Sequence, residues 1–169
     1  MISNILTVCK GNLCRSPMAT ALLAARLSGV HVRCAGTHAV VGRPPAREAI
    51  ELLAVRDIDI SGYRAMQLSL SLCNEADLIL VMDSEQKREV ESRYAVTRGK
   101  VFLVRGFDNS EVFDPVGQPV DQFQRCIELI EEGVDYWVSR LGRVSNATSD
   151  ARRAIPALTR APKLEAWEQ

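Results

Sequence analysis

One short stretch near the start of the chain combines residue types that can do chemistry on a bound anion. We call it the phosphate loop, residues 9–17, and it reads Cys9-Lys10-Gly11-Asn12-Leu13-Cys14-Arg15-Ser16-Pro17. An arginine guanidinium is a planar fork that matches two phosphoryl oxygens. A cysteine near positive charge forms a thiolate, which is a strong nucleophile. The stretch therefore predicts a nucleophile, Cys9, beneath a phosphate that Arg15 binds.

The flanking sequence predicts a strand before the phosphate loop and a helix after it. Residues 2–8 are mostly apolar and β-branched, whereas residues 18–27 are rich in helix formers. We expect Ser16 to cap this helix and Pro17 to be its first residue, where a missing N–H carries no penalty. Loop amides and the helix dipole would then face the anion. The thiol of Cys9 is expected to lose its proton more readily than a free cysteine.

The other residues of the phosphate loop are expected to shape it and to contact the substrate. Gly11 supplies backbone freedom, and Asn12 tolerates a left-handed backbone while its amide bonds across the loop. Ser16 can donate a hydrogen bond to the thiolate of Cys9. We therefore predict these substrate-binding residues within the loop: Lys10, Gly11, Asn12, Leu13, Cys14 and Ser16.

The composition is typical of an ordinary globular protein. The chain has 169 residues, zero formal net charge and 25% charged residues, so a nucleic-acid partner is not expected. No apolar run reaches about 18 residues and no signal peptide is recognisable, so no membrane insertion is expected. Five cysteines without regular spacing favour a reducing cytoplasm, and we expect a monomer there. With only two histidines and no close cysteine pair, neither a metal nor another cofactor is expected.

Strand and helix patterns alternate along the rest of the chain. Further strands are predicted at 30–36, 77–82 and 100–104, and helices at 45–55, 69–76, 85–94 and 120–141. This alternation predicts right-handed βαβ units. The expected fold class is α/β: a three-layer sandwich with a four-stranded parallel sheet flanked by helices and the phosphate loop after the first strand. Ligands bind beyond the carboxyl ends of such strands, where Cys9 lies.

The regular pattern stops near Gly142. Beyond it the sequence is polar, and Pro156 and Pro162 interrupt scattered apolar residues. We therefore expect residues 1–141 to form one domain and residues 142–169 a flexible C-terminal tail.

A candidate acid lies on the long loop predicted at 105–119. Asp114 precedes Pro115, and a carboxyl on an exposed loop above a phosphate can protonate the oxygen of a leaving phenolate. An Asp-Pro pair alone is a common turn signal. In combination with the phosphate loop, Asp114 is a candidate for the general acid.

The phosphate loop resembles the signature loop of the low-molecular-weight protein tyrosine phosphatases. The resemblance covers about residues 2–141, and besides Asp114-Pro115 it includes Cys34-Ala35-Gly36-Thr37-His38-Ala39, Gly42-Arg43-Pro44 and Leu80-Val81-Met82-Asp83. It implies that Cys9 attacks phosphorus, that Arg15 and loop amides hold the equatorial oxygens, and that Asp114 is the acid and then the base. No metal is needed for this mechanism.

Bacterial members associated with exopolysaccharide or capsule control are the most similar in these motifs. The resemblance implies that the substrate is a phosphotyrosine protein and that a tyrosine autokinase, or one of its targets, is the partner.

Three positions depart from the pattern of this family. Val116 follows Asp114-Pro115, where many members carry an aromatic residue, and Val40 lies near the position of the opposite wall residue. Aliphatic walls offer less stacking to a phenyl ring, so the preference for phosphotyrosine is expected to be weaker. Tyr63 replaces a histidine that is often seen before an Arg-Ala pair, and we interpret it as loop support.

Two other functions are compatible with the phosphate loop. A thiol-dependent arsenate reductase of the same fold needs two further cysteines close together, but no cysteine follows Cys73 before Cys126. A non-catalytic phosphate-binding module predicts that Cys9→Ser leaves function intact.

Cys14 also has two interpretations: it is a packing thiol, or it traps an oxidised Cys9 as a disulfide.

Overall fold

Four parallel strands form the centre of the computed structural model, which describes residues 2–142. The strands are β1 (Asn4–Cys9), β2 (His31–Gly36), β3 (Leu78–Val81) and β4 (Val101–Leu103), in the spatial order β2-β1-β3-β4. The helices are α1 (Arg15–Arg26), α2 (Arg47–Ala54), α3 (Leu70–Glu75), α4 (Ser84–Arg93) and α5 (Val120–Leu141), with a short 3₁₀ helix at Ala95–Thr97. The predicted four-stranded parallel sheet is confirmed.

Alternate residues of the central strands belong to two apolar cores, one on each face of the sheet. In β3, Leu78 and Leu80 pack into the core formed with α1, α2 and α5, whereas Ile79 and Val81 pack into the core formed with α3 and α4. Because successive side chains of a strand point to opposite faces, a strand covered on both sides has to be apolar throughout. This explains the continuous apolar run of β3 and gives the predicted three layers.

The start of α1 differs from the sequence prediction. The helix begins at Arg15 after Cys14, so Ser16 and Pro17 are its second and third residues. The prediction that Ser16 caps the helix is therefore wrong, because its hydroxyl bonds to Cys9 and Asn12 instead. The missing N–H of Pro17 still carries no penalty, since the first four N–H groups of a helix have no partner within it.

The end of α5 agrees with the prediction. Gly142 adopts a left-handed backbone with φ 64° directly after Leu141, which is a common way for a helix to stop. The flexible tail is predicted at residues 142–169, and from residue 143 onward it lies outside the described residues. Between residues 2 and 142, no helix has the length and apolar character needed to cross a membrane.

Candidate active site

Cys9 is the last residue of β1, and the chain then turns sharply into α1. The residue is almost completely buried, and it lines a cavity. Asn12, in the turn, has φ 59°, the left-handed conformation that was predicted for it. The cavity lies beyond the carboxyl end of β1, as expected for a ligand site in a parallel sheet.

The cavity has a volume of about 260 Å³ and brings most of the predicted site residues together. Its lining consists of Cys9, Lys10, Gly11, Leu13, Cys14, Arg15, His38, Val40, Asp114 and Val116. Two predicted substrate-binding residues, Asn12 and Ser16, are absent from this lining. Both are fully buried, and their side chains support the phosphate loop from behind.

A chain of hydrogen bonds connects the sulfur of Cys9 to the protein interior. The sulfur lies 2.9 Å from Ser16 Oγ, which lies 2.8 Å from Asn12 Nδ2. Asn12 Oδ1 accepts the backbone N–H of Met66 at 2.8 Å and the hydroxyl of Tyr63. The interpretation of Tyr63 as loop support agrees with this contact.

Arg15 is held in place by three oxygen partners. Its guanidinium donates to the carbonyl of Val112 at 2.9 Å, to Asp83 at 3.3 Å and to Asp114 at 3.2 Å. The side chain is only 5% exposed, and charged hydrogen bonds in such surroundings are strong. The position of the guanidinium is therefore fixed before any phosphate enters the cavity.

Asp114 lies on the loop before α5, and its side chain is 45% exposed. Just before it, the backbone N–H of Val112 donates to Met82 at the end of β3 at 2.8 Å. Together with the bond from Arg15 to Val112, this contact ties the loop to the sheet. The carboxyl group of Asp114 thus belongs to a loop that is tied to the sheet, and the residue lines the same cavity as Cys9 while its side chain remains open to solvent.

Two residues that support the site were not recognised in the sequence. Asp83 caps α4 by accepting the N–H of Gln86, and its second oxygen contacts Arg15. Gly36, the last residue of β2, is so close to the phosphate loop that a Cβ atom would lie 2.4 Å from the carbonyl oxygen of Lys10. Both residues lie in motifs that carry the family resemblance, but neither long-range contact leaves a local signal.

The five cysteines are buried and none forms a disulfide. The hydrogen bond that the Cys14 thiol donates to Cys126, together with burial, raises the pKa of Cys14 far above its usual value, so this thiol stays protonated. Burial likewise raises the pKa of Cys34 to about 11. Cys73 belongs to the core on the α3 and α4 face of the sheet, whereas Cys9 belongs to the opposite core. The cysteine relay of an arsenate reductase is therefore not formed by Cys73.

Among residues 2–142, no group of three or more histidine, cysteine, aspartate or glutamate side chains is arranged to hold a metal ion. The charged groups that line the cavity are instead those of Lys10, Arg15 and Asp114. Fold and cavity together define a site of the cysteine-dependent phosphatase class: a thiol at the end of a strand, an arginine at a helix N-terminus and a carboxyl group across the cavity.

Comparison with known proteins identifies the family within this class. A model of the family described as "Low molecular weight phosphotyrosine protein phosphatase" matches residues 4–147. The chain belongs to this family, and it is accordingly an enzyme of the protein-tyrosine-phosphatase class. The family membership indicated by the phosphate loop is confirmed.

Three similar proteins illustrate the range of the family. The probable low molecular weight protein-tyrosine-phosphatase EpsP of Ralstonia nicotianae is 47% identical over 83% of this chain and 97% of its own length. The structure of Vibrio vulnificus Wzb with benzylphosphonate has a TM-score of 0.80 at 30% identity, covering 83% and 99% of the two chains. The YwlE arginine phosphatase of Geobacillus stearothermophilus has a TM-score of 0.79 at 31% identity, covering 83% and 93%.

Proposed function

We propose that this phosphatase hydrolyses phosphotyrosine in a protein through a phosphocysteine intermediate on Cys9. The observation that carries the proposal is the shared cavity: the sulfur of Cys9, the guanidinium of Arg15 and the carboxyl group of Asp114 all line it. A nucleophile, an oxyanion-binding group and a proton donor are the three groups that this reaction needs.

In the first step, the sulfur of Cys9 attacks phosphorus and the bond from phosphorus to the tyrosine oxygen breaks. The equatorial oxygens carry negative charge, which the guanidinium of Arg15 and the amides at the start of α1 stabilise. Asp114 gives its proton to the leaving phenolate oxygen, because a phenol leaves more easily than a phenolate.

In the second step, water attacks the phosphorus of the phosphocysteine and the phosphorus–sulfur bond breaks. Asp114, now a carboxylate, takes a proton from this water. Ser16 donates a hydrogen bond to the sulfur at 2.9 Å, which stabilises the thiolate as it leaves. Inorganic phosphate then leaves, and the proton that Asp114 took from the water is the one it gives to the leaving group in the next turnover.

The apolar part of the cavity supports an aryl phosphate as substrate. Leu13, Val40 and Val116 line the cavity together with the charged groups. A phenyl ring gains by burial against aliphatic side chains, whereas a guanidinium placed there loses hydration. This favours phosphotyrosine over phosphoarginine, although a relative described as an arginine phosphatase shares the fold.

The proposed biological role is control of exopolysaccharide or capsule production. We propose that the phosphotyrosine protein is a bacterial tyrosine kinase or one of its targets, met by a monomeric enzyme in the cytoplasm. Support comes from the resemblance to bacterial family members and from the similarity to EpsP and Wzb.

Turnover by a cysteine variant and a matched control tests the proposed chemistry. Cys9→Ser is expected to abolish hydrolysis of p-nitrophenyl phosphate and of a phosphotyrosine peptide. Cys73→Ser changes a cysteine in the opposite core and is expected to retain turnover. Vanadate should inhibit the wild-type protein and EDTA should not. Retained turnover in Cys9→Ser would remove Cys9 from the mechanism, and faster hydrolysis of phosphoarginine than of phosphotyrosine would contradict the proposed substrate.

A further inference from the structure

The hydrogen bonds behind the phosphate loop run in one direction, with each group donating to the next one nearer to Cys9. Asn12 Oδ1 accepts the backbone N–H of Met66 at 2.8 Å, and a backbone N–H can only donate. This fixes the orientation of the Asn12 amide, so that its nitrogen donates to Ser16 Oγ at 2.8 Å. The hydroxyl proton of Ser16 is then left for the sulfur of Cys9 at 2.9 Å.

Tyr63 stands at the other end of this chain. Its hydroxyl donates to Asn12 Oδ1, and its next acceptor, the carbonyl oxygen of Cys34, is more distant at 3.3 Å. The ring is only 6% exposed, and burial raises the pKa of the phenol well above its usual value. The phenol therefore keeps its proton and remains a donor over the whole working pH range.

We propose that Tyr63 is a positioning residue that begins a one-way chain of hydrogen-bond donors, through Asn12 and Ser16, ending on the sulfur of Cys9. A donor to the sulfur favours the thiolate over the thiol. Each donor in such a chain also strengthens the next by polarising it. The proposal rests on the proposed role of Cys9 as the nucleophile and adds that a residue outside the cavity adjusts its reactivity.

The chain acts on the thiol together with the other groups around it. Arg15 lies beside Cys9 on α1, and Asp114 lies across the cavity. The titratable and charged groups that line the cavity or interact with Cys9 are Lys10, Cys14, Arg15, Cys34, His38, Tyr63 and Asp114. Tyr63→Phe removes one hydroxyl and leaves the other six side chains in place.

The test measures the rate at which iodoacetamide alkylates Cys9 as a function of pH, in the full chain. Tyr63→Phe is expected to move the midpoint of this curve up by about half a pH unit. It should lower kcat by about threefold to tenfold while KM stays within about twofold, because Tyr63 does not line the cavity. Tyr63→Leu should shift the midpoint in the same direction, and Tyr63→His, which retains an N–H donor, should restore it toward the wild-type value.

Tyr94→Phe is the matched control. The hydroxyl of Tyr94 donates to the carbonyl oxygen of Leu68 at 3.1 Å, so this variant also loses a tyrosine hydrogen bond, but outside the chain. Its alkylation midpoint is expected to equal that of the wild type. A wild-type midpoint in folded Tyr63→Phe and Tyr63→Leu, or an equal shift in Tyr94→Phe, would overturn the proposal.

The alkylation experiment separates this proposal from the proposed function. Alkylation requires no turnover, so it reports on the thiol of Cys9 whatever substrate the enzyme uses. If Cys9→Ser is inactive and Tyr63→Phe leaves the midpoint unchanged, only the role of Tyr63 fails. If Cys9→Ser retains turnover, the proposed function itself fails.

Discussion

The residues behind the phosphate loop and those at the rim of the cavity differ in how they are held. Behind the loop, Asn12 and Ser16 are fully buried, and each polar atom of their two side chains has a hydrogen-bond partner. We define the rim of the cavity as Val40, Asp114 and Val116. These residues are partly open to solvent: 43% of Val40, 45% of the Asp114 side chain and 57% of Val116 are exposed. Substitutions of the buried residues would disrupt the fold, whereas substitutions at the rim would leave the fold intact.

This difference assigns the two halves of the site different tasks. The buried half fixes the nucleophile and the phosphate, which every substrate of this reaction shares. The rim meets the group that carries the phosphate, which differs between substrates. Solved structures described as a tyrosine phosphatase and as an arginine phosphatase share the fold, as this division of tasks predicts. Asp114 is the exception, since it takes part in the chemistry from the rim.

The largest effect is expected from Asp114→Asn. The variant should lower kcat/KM for phenyl phosphate, which reports on formation of the phosphocysteine, by roughly 10²–10⁴, because the leaving phenolate is no longer protonated. The loss of kcat/KM should be much smaller for p-nitrophenyl phosphate, whose leaving group departs without a proton. Asp121→Asn, at the exposed start of α5 and outside the cavity, is the control and should keep wild-type rates with both substrates. An equal loss for both substrates would contradict the role of Asp114 as acid.

A smaller effect, acting from the buried half, is expected from Gly36→Ala. The new Cβ would lie 2.4 Å from the carbonyl oxygen of Lys10 and 3.1 Å from Ala39 Cα, so the phosphate loop has to move. We expect kcat to fall by roughly tenfold to a hundredfold and the protein to lose about 1–3 kcal/mol of stability. Gly62→Ala, whose Cβ meets no atom within 4 Å, should change neither. Wild-type kcat in Gly36→Ala would show that the phosphate loop tolerates displacement.

Val116→Tyr tests the rim. An aromatic wall adds about 0.5–1.5 kcal/mol of ring–ring contact, so KM for an aryl phosphate should fall by about twofold to tenfold. The chemistry lies in the buried half, so kcat should change little. Val55→Tyr, at a position 78% exposed and outside the cavity, is the control and should leave KM unchanged. A large change of kcat with constant KM would contradict the division between chemistry and substrate choice.

The smallest effect is expected from Asp108→Asn, outside both regions. A hydrogen bond from Arg105 lowers the pKa of Asp108 to about 2 in the folded protein. Because this value is below the usual one, the carboxylate stabilises the fold near neutral pH, and the contribution disappears as the pH falls toward about 2. The variant should melt slightly below the wild type near neutral pH, and the difference should vanish at low pH. Its kcat/KM should be unchanged, since activity depends on the other two regions.

The sequence predicts this fold well where the signal is local. The strand, loop and helix around Cys9 carry their own patterns of apolar residues, glycine and proline, and so does α5 from Val120 to Leu141. The start of α1 was predicted wrongly because the hydroxyl of Ser16, a good helix cap by type, bonds to Cys9 across the loop.

The supporting residues were missed for the same physical reason. Asp83 contacts Arg15 from the N-terminus of α4, and Gly36 lies against Lys10 at the end of β2. These contacts join residues that are far apart in the chain, so no local spacing indicates them. Tyr63 was recognised as a departure from the family pattern and interpreted as loop support, but its place at the end of the hydrogen-bond chain follows from the three-dimensional structure alone.

The most direct test of the account is detection of the covalent intermediate. Asp114→Asn is mixed with p-nitrophenyl phosphate, whose leaving group needs no acid, and the reaction is quenched in acid during the first turnover. Loss of the base slows hydrolysis of the intermediate, so it accumulates. Fragmentation of the N-terminal peptide by mass spectrometry then locates the phosphoryl group. We predict that it lies on the sulfur of Cys9; a phosphoryl group on Cys14 or His38, or no adduct despite release of p-nitrophenol, would contradict the account.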